Sequence, residues 1–412
     1  MPQATPGTFA AELRRLRGQT SLRVLAQRAN CGKSIISDLE HQRRPPTPWI
    51  AAALDKALTA GGTLVALAEA ERQRASDRAG RTAPDIAVDG LLGLLRDWDD
   101  VLRRDFLKTT STAALLAAGL PTTPRLDADS HDLLQAHQDL RAAHGRLDNL
   151  QGAGTIHRQA VDHHHQITAW LATATGADRQ RVAALASDTG GFVAFLTYDI
   201  GQPELAAAHY RDAALHARDA GDISACTYLL GQMSRILTDI GQYPHALALT
   251  DRALSMAGTH AHPAVRSWLH AVRAHHHACL GNHHATDTDL RTAWTLCSKA
   301  DDGEKPPYIG YLDAAELNKW TGHALVRLIT RKPNLASTGK TALDAARAAW
   351  PTTSIRGSAE VLTSSARIYH ATGDADTAIH LADQAVAVAT RTGSARNLRT
   401  ALAAQARASN QP

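Results

Sequence analysis

Between residues 21 and 40 the apolar positions fall into two short helical stripes. Leu22, Leu25, Ala26 and Ala29 share one face of a first helix, and Ile36 and Leu39 anchor a second. Ser21 stands where its hydroxyl can accept from the free N–H groups of the first helical turn. Asn30 tolerates the left-handed backbone that ends a helix, so a tight turn is predicted at Asn30-Cys31. This arrangement leaves Lys33, Ser34, Ser37 and Asp38 on the outer face of the second helix. A short helix with small polar and basic residues outside can enter a DNA major groove and read base edges.

Beyond residue 130 helical spacing runs throughout, and the pattern repeats. Gly201, Gly241 and Gly281 are forty residues apart, and Gly373 heads a similar stretch. Five residues after glycine stand Ala206, Ala246, Thr286 and Ala378; seven further on stand Ala213, Ala253, Ala293 and Ala385. Seven residues before glycine the side chain is again small: Ala194, Ser234, Ala274 and Ala366. Small residues at fixed positions let antiparallel helices approach closely, and a fixed period of helix pairs predicts a solenoid. The best copies are 187–226, 227–266, 267–306 and 359–395. A degenerate copy lies around Leu317 to Trp350, and a helix pair near 131–175 is expected to cap the array.

Residues 71–127 read as a connector. Arg72 to Arg81 is polar and charged, and Pro84, Pro121 and Pro124 mark breaks, because proline lacks the N–H that a helix interior needs. Helices are expected at Ile86–Asp97 and Val101–Leu120. Within the second, Arg103-Arg104 and the apolar run Ala113 to Leu120 look like a twin-arginine export signal. Such signals act at an N-terminus, and the run is too short to span a bilayer, so it reads as a linker helix. The expected domains are thus 1–70, a linker at 71–127, and repeats at 128–412.

Charge is divided unevenly between these segments. Residues 1–50 carry eight basic and three acidic side chains; the remainder of the chain carries 36 and 37. The positive excess therefore sits on the two-helix motif, as a polyanion partner would require. A hydrophobic fraction of 44% with only 4% aromatics suits packed helices and argues against a β-sandwich. Cys31, Cys226, Cys279 and Cys297 are scattered without metal-ligand spacing, which suits a reduced, cytoplasmic (and here nucleoid-associated) protein. Histidine is frequent, with 22 copies, and clusters at His163-His164-His165, His275-His276-His277 and His283-His284. Consecutive helical residues diverge by about 100°, a poor chelating geometry, so exposed helix histidines are expected and no metal site is assigned. No phosphate-binding glycine loop, H-E-x-x-H, nucleophile elbow or kinase signature occurs; no cofactor and no enzymatic activity are expected. Asp99-Asp100 and Asp301-Asp302 read as solvated carboxylates.

From about Phe9 to Leu67 the chain resembles the Xre/Cro-type helix-turn-helix family. The resemblance rests on Leu25-Ala26, the Asn30-Cys31 turn, Lys33-Ser34-x-Ile36-Ser37-x-Leu39-Glu40 and the basic tail Arg43-Arg44-Pro45. Two positions depart from it: Leu22 stands where the family often has glutamine, and Asp38 where it often has a basic or amide side chain. The repeats resemble tetratricopeptide units with about six extra residues each, and the whole is similar in architecture to peptide-responsive regulators of Gram-positive bacteria, here of an Ala/Arg-rich actinobacterial type. The resemblance implies an all-α chain, a five-helix DNA-binding domain followed by a tetratricopeptide-like α-solenoid. It implies operator DNA as partner, with Lys33, Ser34, Ser37 and Asp38 facing bases, Ile35 near a thymine methyl, and Arg23, Arg43 and Arg44 on phosphates. Carrying over the inner positions of the repeats gives Asp188, Phe195, Tyr198, Tyr228, Arg235, Trp268, His275, Glu360, Arg367 and His370 as a concave surface for a signalling peptide, a small molecule or a protein partner. The implied protein is a transcriptional regulator and homodimer without a membrane segment. An adaptor that works through its repeats, with DNA binding secondary, is the alternative.

Overall fold

The computed structural model describes residues 8–79, apart from 30, 32, 43–45 and 47, and residues 128–409, apart from 301 and 302. The chain divides into two compact units, Met1–Pro121 and Thr122–Pro412. Every α-helix or 3-10 turn below lies among the described residues, which contain no strand.

In the first unit five helices follow in order: α1 (Phe9–Arg17), α2 (Leu22–Arg28), α3 (Lys33–Glu40), α4 (Pro48–Leu58) and α5 (Thr63–Ala79). Their core is Phe9, Leu13, Leu25, Ala26, Ile36, Leu39, Ile50, Leu54 and Leu64, with Leu22 and Cys31 half-buried against it. The stripes read from the sequence are thus the faces that pack. Ser21 caps α2 by accepting from the Val24 N–H at 3.3 Å. The buried Asp55 carboxylate caps α5, accepting at 2.8 Å from the Gly62 and Leu64 N–H groups. Glu71 of α5 accepts from the Phe9 N–H at 2.7 Å and so satisfies a free donor at the start of α1. α5 runs through residue 70, the expected domain boundary, to Ala79.

The second unit is an α-solenoid of helices packed in chain order. A pair α6 (Ala128–Gln151) and α7 (Ala153–Thr173) precedes the pairs α8 (Gly176–Asp199) and α9 (Pro203–Asp219), α10 (Ile223–Asp239) and α11 (Tyr243–Ala257), and α12 (Pro263–Cys279) and α13 (His283–Ala300). Then come α14 (Ala314–Leu328) and α15 (Ala336–Ala349), α16 (Ile355–Ala371) and α17 (Ala375–Arg391), and a last helix α18 (Ala395–Ser409). Each of the four repeat glycines has positive φ, between 80° and 91°. In the first copy the Gly201 N–H bonds to Tyr198 O at 3.1 Å and the Gln202 N–H to Thr197 O at 3.1 Å; the other three turns repeat these bonds. All twelve of the small residues at the repeat positions are at most 1% exposed. The forty-residue period is therefore a helix–turn–helix unit whose small residues form the interhelical contact. The copy boundaries read from the glycines start late: α10 begins at Ile223, four residues before 227.

The solenoid closes on itself. α16 packs on α6 and α18 on α8. Arg356 of α16 pairs with Asp148 of α6 at 3.0 Å, both almost wholly buried. Ser394 donates to Asp199 at the end of α8 at 2.8 Å, and Gly152 lies directly against the Thr392 carbonyl.

The expected linker helices, the twin-arginine-like run, Asp99-Asp100 and Asp301-Asp302 lie outside the described residues. No described helix is long and apolar enough to cross a membrane.

Candidate nucleic-acid interface and solenoid interior

In the first unit the arginines divide into two groups. Arg17 grips Glu40 at the end of α3 through two bonds of 2.5 and 3.1 Å, and Arg14 donates to the Glu40 backbone carbonyl. Arg15 pairs with Glu12 within α1. Glu40 is only 3% exposed, so these bonds fix α1 to α3 rather than face a partner. Arg23, Arg28 and Lys33 are instead exposed, on α2 and at the first position of α3. Among the described residues of 1–50 the exposed, unpaired cations are therefore fewer than the sequence count, and they sit on the α2–α3 face.

The sequence-predicted DNA contacts fall unevenly on that face. Lys33 and Arg23 are exposed, while Ser37 and Asp38 are half-buried. Ile35 is also half-buried and packs against the domain core, so less of its side chain is available to a thymine methyl than helical spacing implies. The Ser34 side chain, Arg43 and Arg44 lie outside the described residues. Sequence reasoning passed over Gln27 and Arg28, exposed at the end of α2 beside the turn; the signal was the outward side of the same stripe that located the core.

A model of a helix-turn-helix domain matches residues 8–68. Residues 8–68 are a helix-turn-helix domain of the DNA-binding kind. The match ends within α5, at the last buried core residue Ala68, and the α-solenoid lies outside it. No curated protein matches the chain.

The inner surface of the solenoid gathers the predicted repeat positions in a different way. Arg235, His275 and Arg367, each six residues before its glycine, line one chamber together with Glu360. Thr238, which has the register of Tyr198 one repeat on, lines it too, as do Asp239, Trp320, His323, Arg327, Thr363, Ser364, Arg396, Asn397 and Thr400. The chamber has a volume of roughly 90 Å³. Glu360 is its electrostatic centre. It accepts from Arg396, lies 3.3 Å from Lys319 Nζ and 3.5 Å from Arg235. Burial alone would raise its pKa, but Arg396, Lys319 and Arg235 hold it well below the usual carboxylate range. His323 is pushed down to about 3 by burial and by Lys319, and His275 well down by burial and Arg327, so both rings are neutral at pH 7.

The other predicted inner residues are used in packing. Trp268 is fully buried, 4.9 Å from the Tyr228 ring and edge-on to Trp320, and so is not on an open groove. Phe195 lies under the Arg356 guanidinium at 4.5 Å. Asp188 pairs with Arg141 at 3.3 Å. Tyr228 meets Gln232 and Tyr311 through its hydroxyl, and Tyr198 donates to Asp239. His370 is half-buried and outside the chamber lining. Trp320 and His323 escaped sequence reasoning because α14 belongs to the degenerate repeat, and Arg396 and Asn397 because α18 begins where the last recognised copy ends.

The histidine clusters are not the exposed rows expected. His163, His144 and His276 are at most 5% exposed. His163 Nε2 lies 3.1 Å from His137 Nδ1, and His276 Nδ1 lies 3.0 Å from the Thr250 hydroxyl. Of the remaining cluster members, His165 and His284 are exposed, while His275 lines the chamber and His164 Nδ1 lies 3.0 Å from the Thr189 hydroxyl. Among the described residues no group of three or more histidine, cysteine, aspartate or glutamate side chains is arranged to hold a metal ion.

Proposed function

We propose that the protein is an Xre-type transcriptional regulator whose tetratricopeptide-like solenoid binds a small effector and pairs the chain as a homodimer. The observation that carries the regulatory reading is the helix-turn-helix domain at residues 8–68, with Arg23, Arg28 and Lys33 exposed on its α2–α3 face. α3 is the recognition helix: Lys33, Ser34, Ser37 and Asp38 face the bases, and Arg23, Arg43 and Arg44 hold phosphates. Phosphate contacts position such a domain, and base contacts give it sequence preference. Two copies on a palindrome would space their half-sites about 34 Å apart, one turn of DNA.

A small head group fits the solenoid better than an extended peptide. The inner surface is filled by its own side chains and leaves a chamber of roughly 90 Å³, well below the about 300–1,000 Å³ of pockets that enclose a drug-sized ligand. The reading assigns no catalytic role to any residue.

Selection from a promoter-region DNA library, followed by salt titration of the selected site with wild type and Lys33→Ala, tests it. The expected result is a palindrome whose affinity falls steeply with salt and whose preferred sequence changes in the variant. Weak, unselective binding that Lys33→Ala leaves alone overturns the regulatory reading and brings the adaptor forward.

A further inference from the structure

The chamber inside the solenoid is built for a negative charge. Four guanidiniums line it (Arg235, Arg327, Arg367 and Arg396) against two carboxylates, Asp239 and Glu360, and its two histidines are neutral. Two of the guanidiniums are already committed. Arg396 holds Glu360 and approaches Asp199 at 3.6 Å, and Arg235 lies 3.5 Å from Glu360. Arg327 and Arg367 form no ion pair among the described residues.

Hydrogen bonding points the same way. Asn397 is 1% and Thr363 3% exposed, and both line the chamber. The Asn397 Nδ2 and Thr363 Oγ1 have no hydrogen-bond partner, and neither has the Arg367 Nε. Each of these groups can donate. Buried donors without acceptors are costly, about 1–3 kcal/mol each, and persist where a ligand or water supplies the acceptor. Burial, and then Arg327 and Arg407, press the Arg367 pKa down to about 10, the signature of a cation short of a counter-charge. Arg327 and Asp239 are exposed at the mouth, while Asn397, Thr363 and Arg396 form the floor.

We propose that this chamber binds the oxyanion head of a small molecule, a phosphate or a carboxylate, held by Arg367 and Arg327 and by the Asn397 amide and Thr363 hydroxyl on its floor. A chamber of roughly 90 Å³ holds such a head group, and the rest of a larger ligand leaves through the open mouth. As a binding site it stands on solenoid residues alone; as an effector site it rests on the regulatory reading above.

Isothermal titration of the full-length protein with inorganic phosphate, and in parallel with succinate, tests the site without DNA. The expected result is saturable binding of one of the two, which also tells phosphate from carboxylate recognition. Arg367→Gln should weaken it by about tenfold to a hundredfold, the value of a hydrogen bond to a charged group. Arg327→Gln, at an exposed position, gives the same direction should Arg367→Gln fail to fold. No saturable heat with either anion, or equal heat in wild type and both variants, overturns the site. An operator selected by a protein that binds neither anion removes the chamber and leaves the regulator. Anion binding by a protein that selects no operator keeps the chamber and removes the regulator.

Discussion

Gly152→Ala is the sharpest test of the closed solenoid. Gly152 sits between α6 and α7 with φ +89°, and a Cβ there would stand 1.9 Å from the Thr392 carbonyl oxygen and 2.7 Å from its carbon. Ordinary contacts begin at about 3.5 Å, and the obstacle is backbone, which no rotamer change moves. A left-handed residue with a Cβ costs about 1–2 kcal/mol, and overpacking costs about 1–3 kcal/mol more. Relief by retreat of the α6–α7 turn would carry Asp148 with it, since the Gly152 N–H bonds to the Asp148 carbonyl at 2.8 Å. That would loosen the buried Asp148–Arg356 pair, whose rupture costs about 3–5 kcal/mol. The cheaper route sets the loss at about 2–5 kcal/mol. At about 2–4 °C per kcal/mol for a unit of this size, Tm should fall by on the order of 10 °C. Thermal unfolding by circular dichroism reads the shift, and hydrogen exchange should quicken on both sides of the contact, around 148–152 and 392–396. Gly154→Ala is the control: two residues on, its Cβ would meet nothing within 4 Å. A Gly152→Ala protein that melts within about 2 °C of wild type would show that the ends of the solenoid do not meet.

Acid should destabilise the solenoid. Burial pushes His276 down to about 3 and His163 to about 4, with charged or histidine neighbours adding to it. The unfolded chain takes up these protons near pH 6.5, so it binds more protons than the folded one below that value. Stability is then full above pH 6.5 and falls as the pH drops toward 4, by on the order of 1.4 kcal/mol per histidine per pH unit; equal urea midpoints at pH 7.5 and 5.5 would contradict this. Glu40→Ala removes the partner of Arg17 and should destabilise α1 against α3 by about 1–3 kcal/mol, seen as faster hydrogen exchange in both helices, with unchanged exchange counting against the pair. Arg23→Ala should flatten the salt dependence of operator binding by a slope of about 0.9, one phosphate contact; an unchanged slope would mean that Arg23 touches no phosphate.

The helices and their pairing were legible because they depend on local rules. Gly201, Gly241, Gly281 and Gly373 announce their turns by the backbone that only glycine adopts without strain, and Ala213 or Ala253 announce their contacts by size. The stripe through Leu25 and Ala26 fixed the first core in the same way. What the residues could not tell was how an inner position is used. Arg235 and Arg367 share a register with Phe195, yet two of these line the chamber and one lies under Arg356. Which outcome holds depends on what crosses from the far end of the chain. Asp148 and Arg356 are 208 residues apart and Asp199 and Ser394 195 apart, and no period in the sequence links them. The charge count overstated the available patch for a related reason: Arg14 and Arg17 look like part of it until the fold sets them against Glu40 at the end of α3.

Closure also explains why the interior is so highly charged. In an open solenoid each repeat touches only its neighbours and the inner face stays in water, so arginine and glutamate there need no partners. Here α16 packs on α6 and α18 on α8, and the inner face loses water along part of its length. Isolated charges in such a place would cost several kcal/mol each. The observed answer is a network in which Glu360 is shared by Arg396, Lys319 and Arg235, while Asp148 and Asp199 take Arg356 and Arg396. Every carboxylate of this network has a cation, but Arg367 has no carboxylate. A structure selected only for stability gains nothing by keeping a guanidinium there, since a neutral side chain of similar length would pack as well. The unmatched charge is therefore the feature that separates a chamber for an anion from a solenoid merely sealed at its ends.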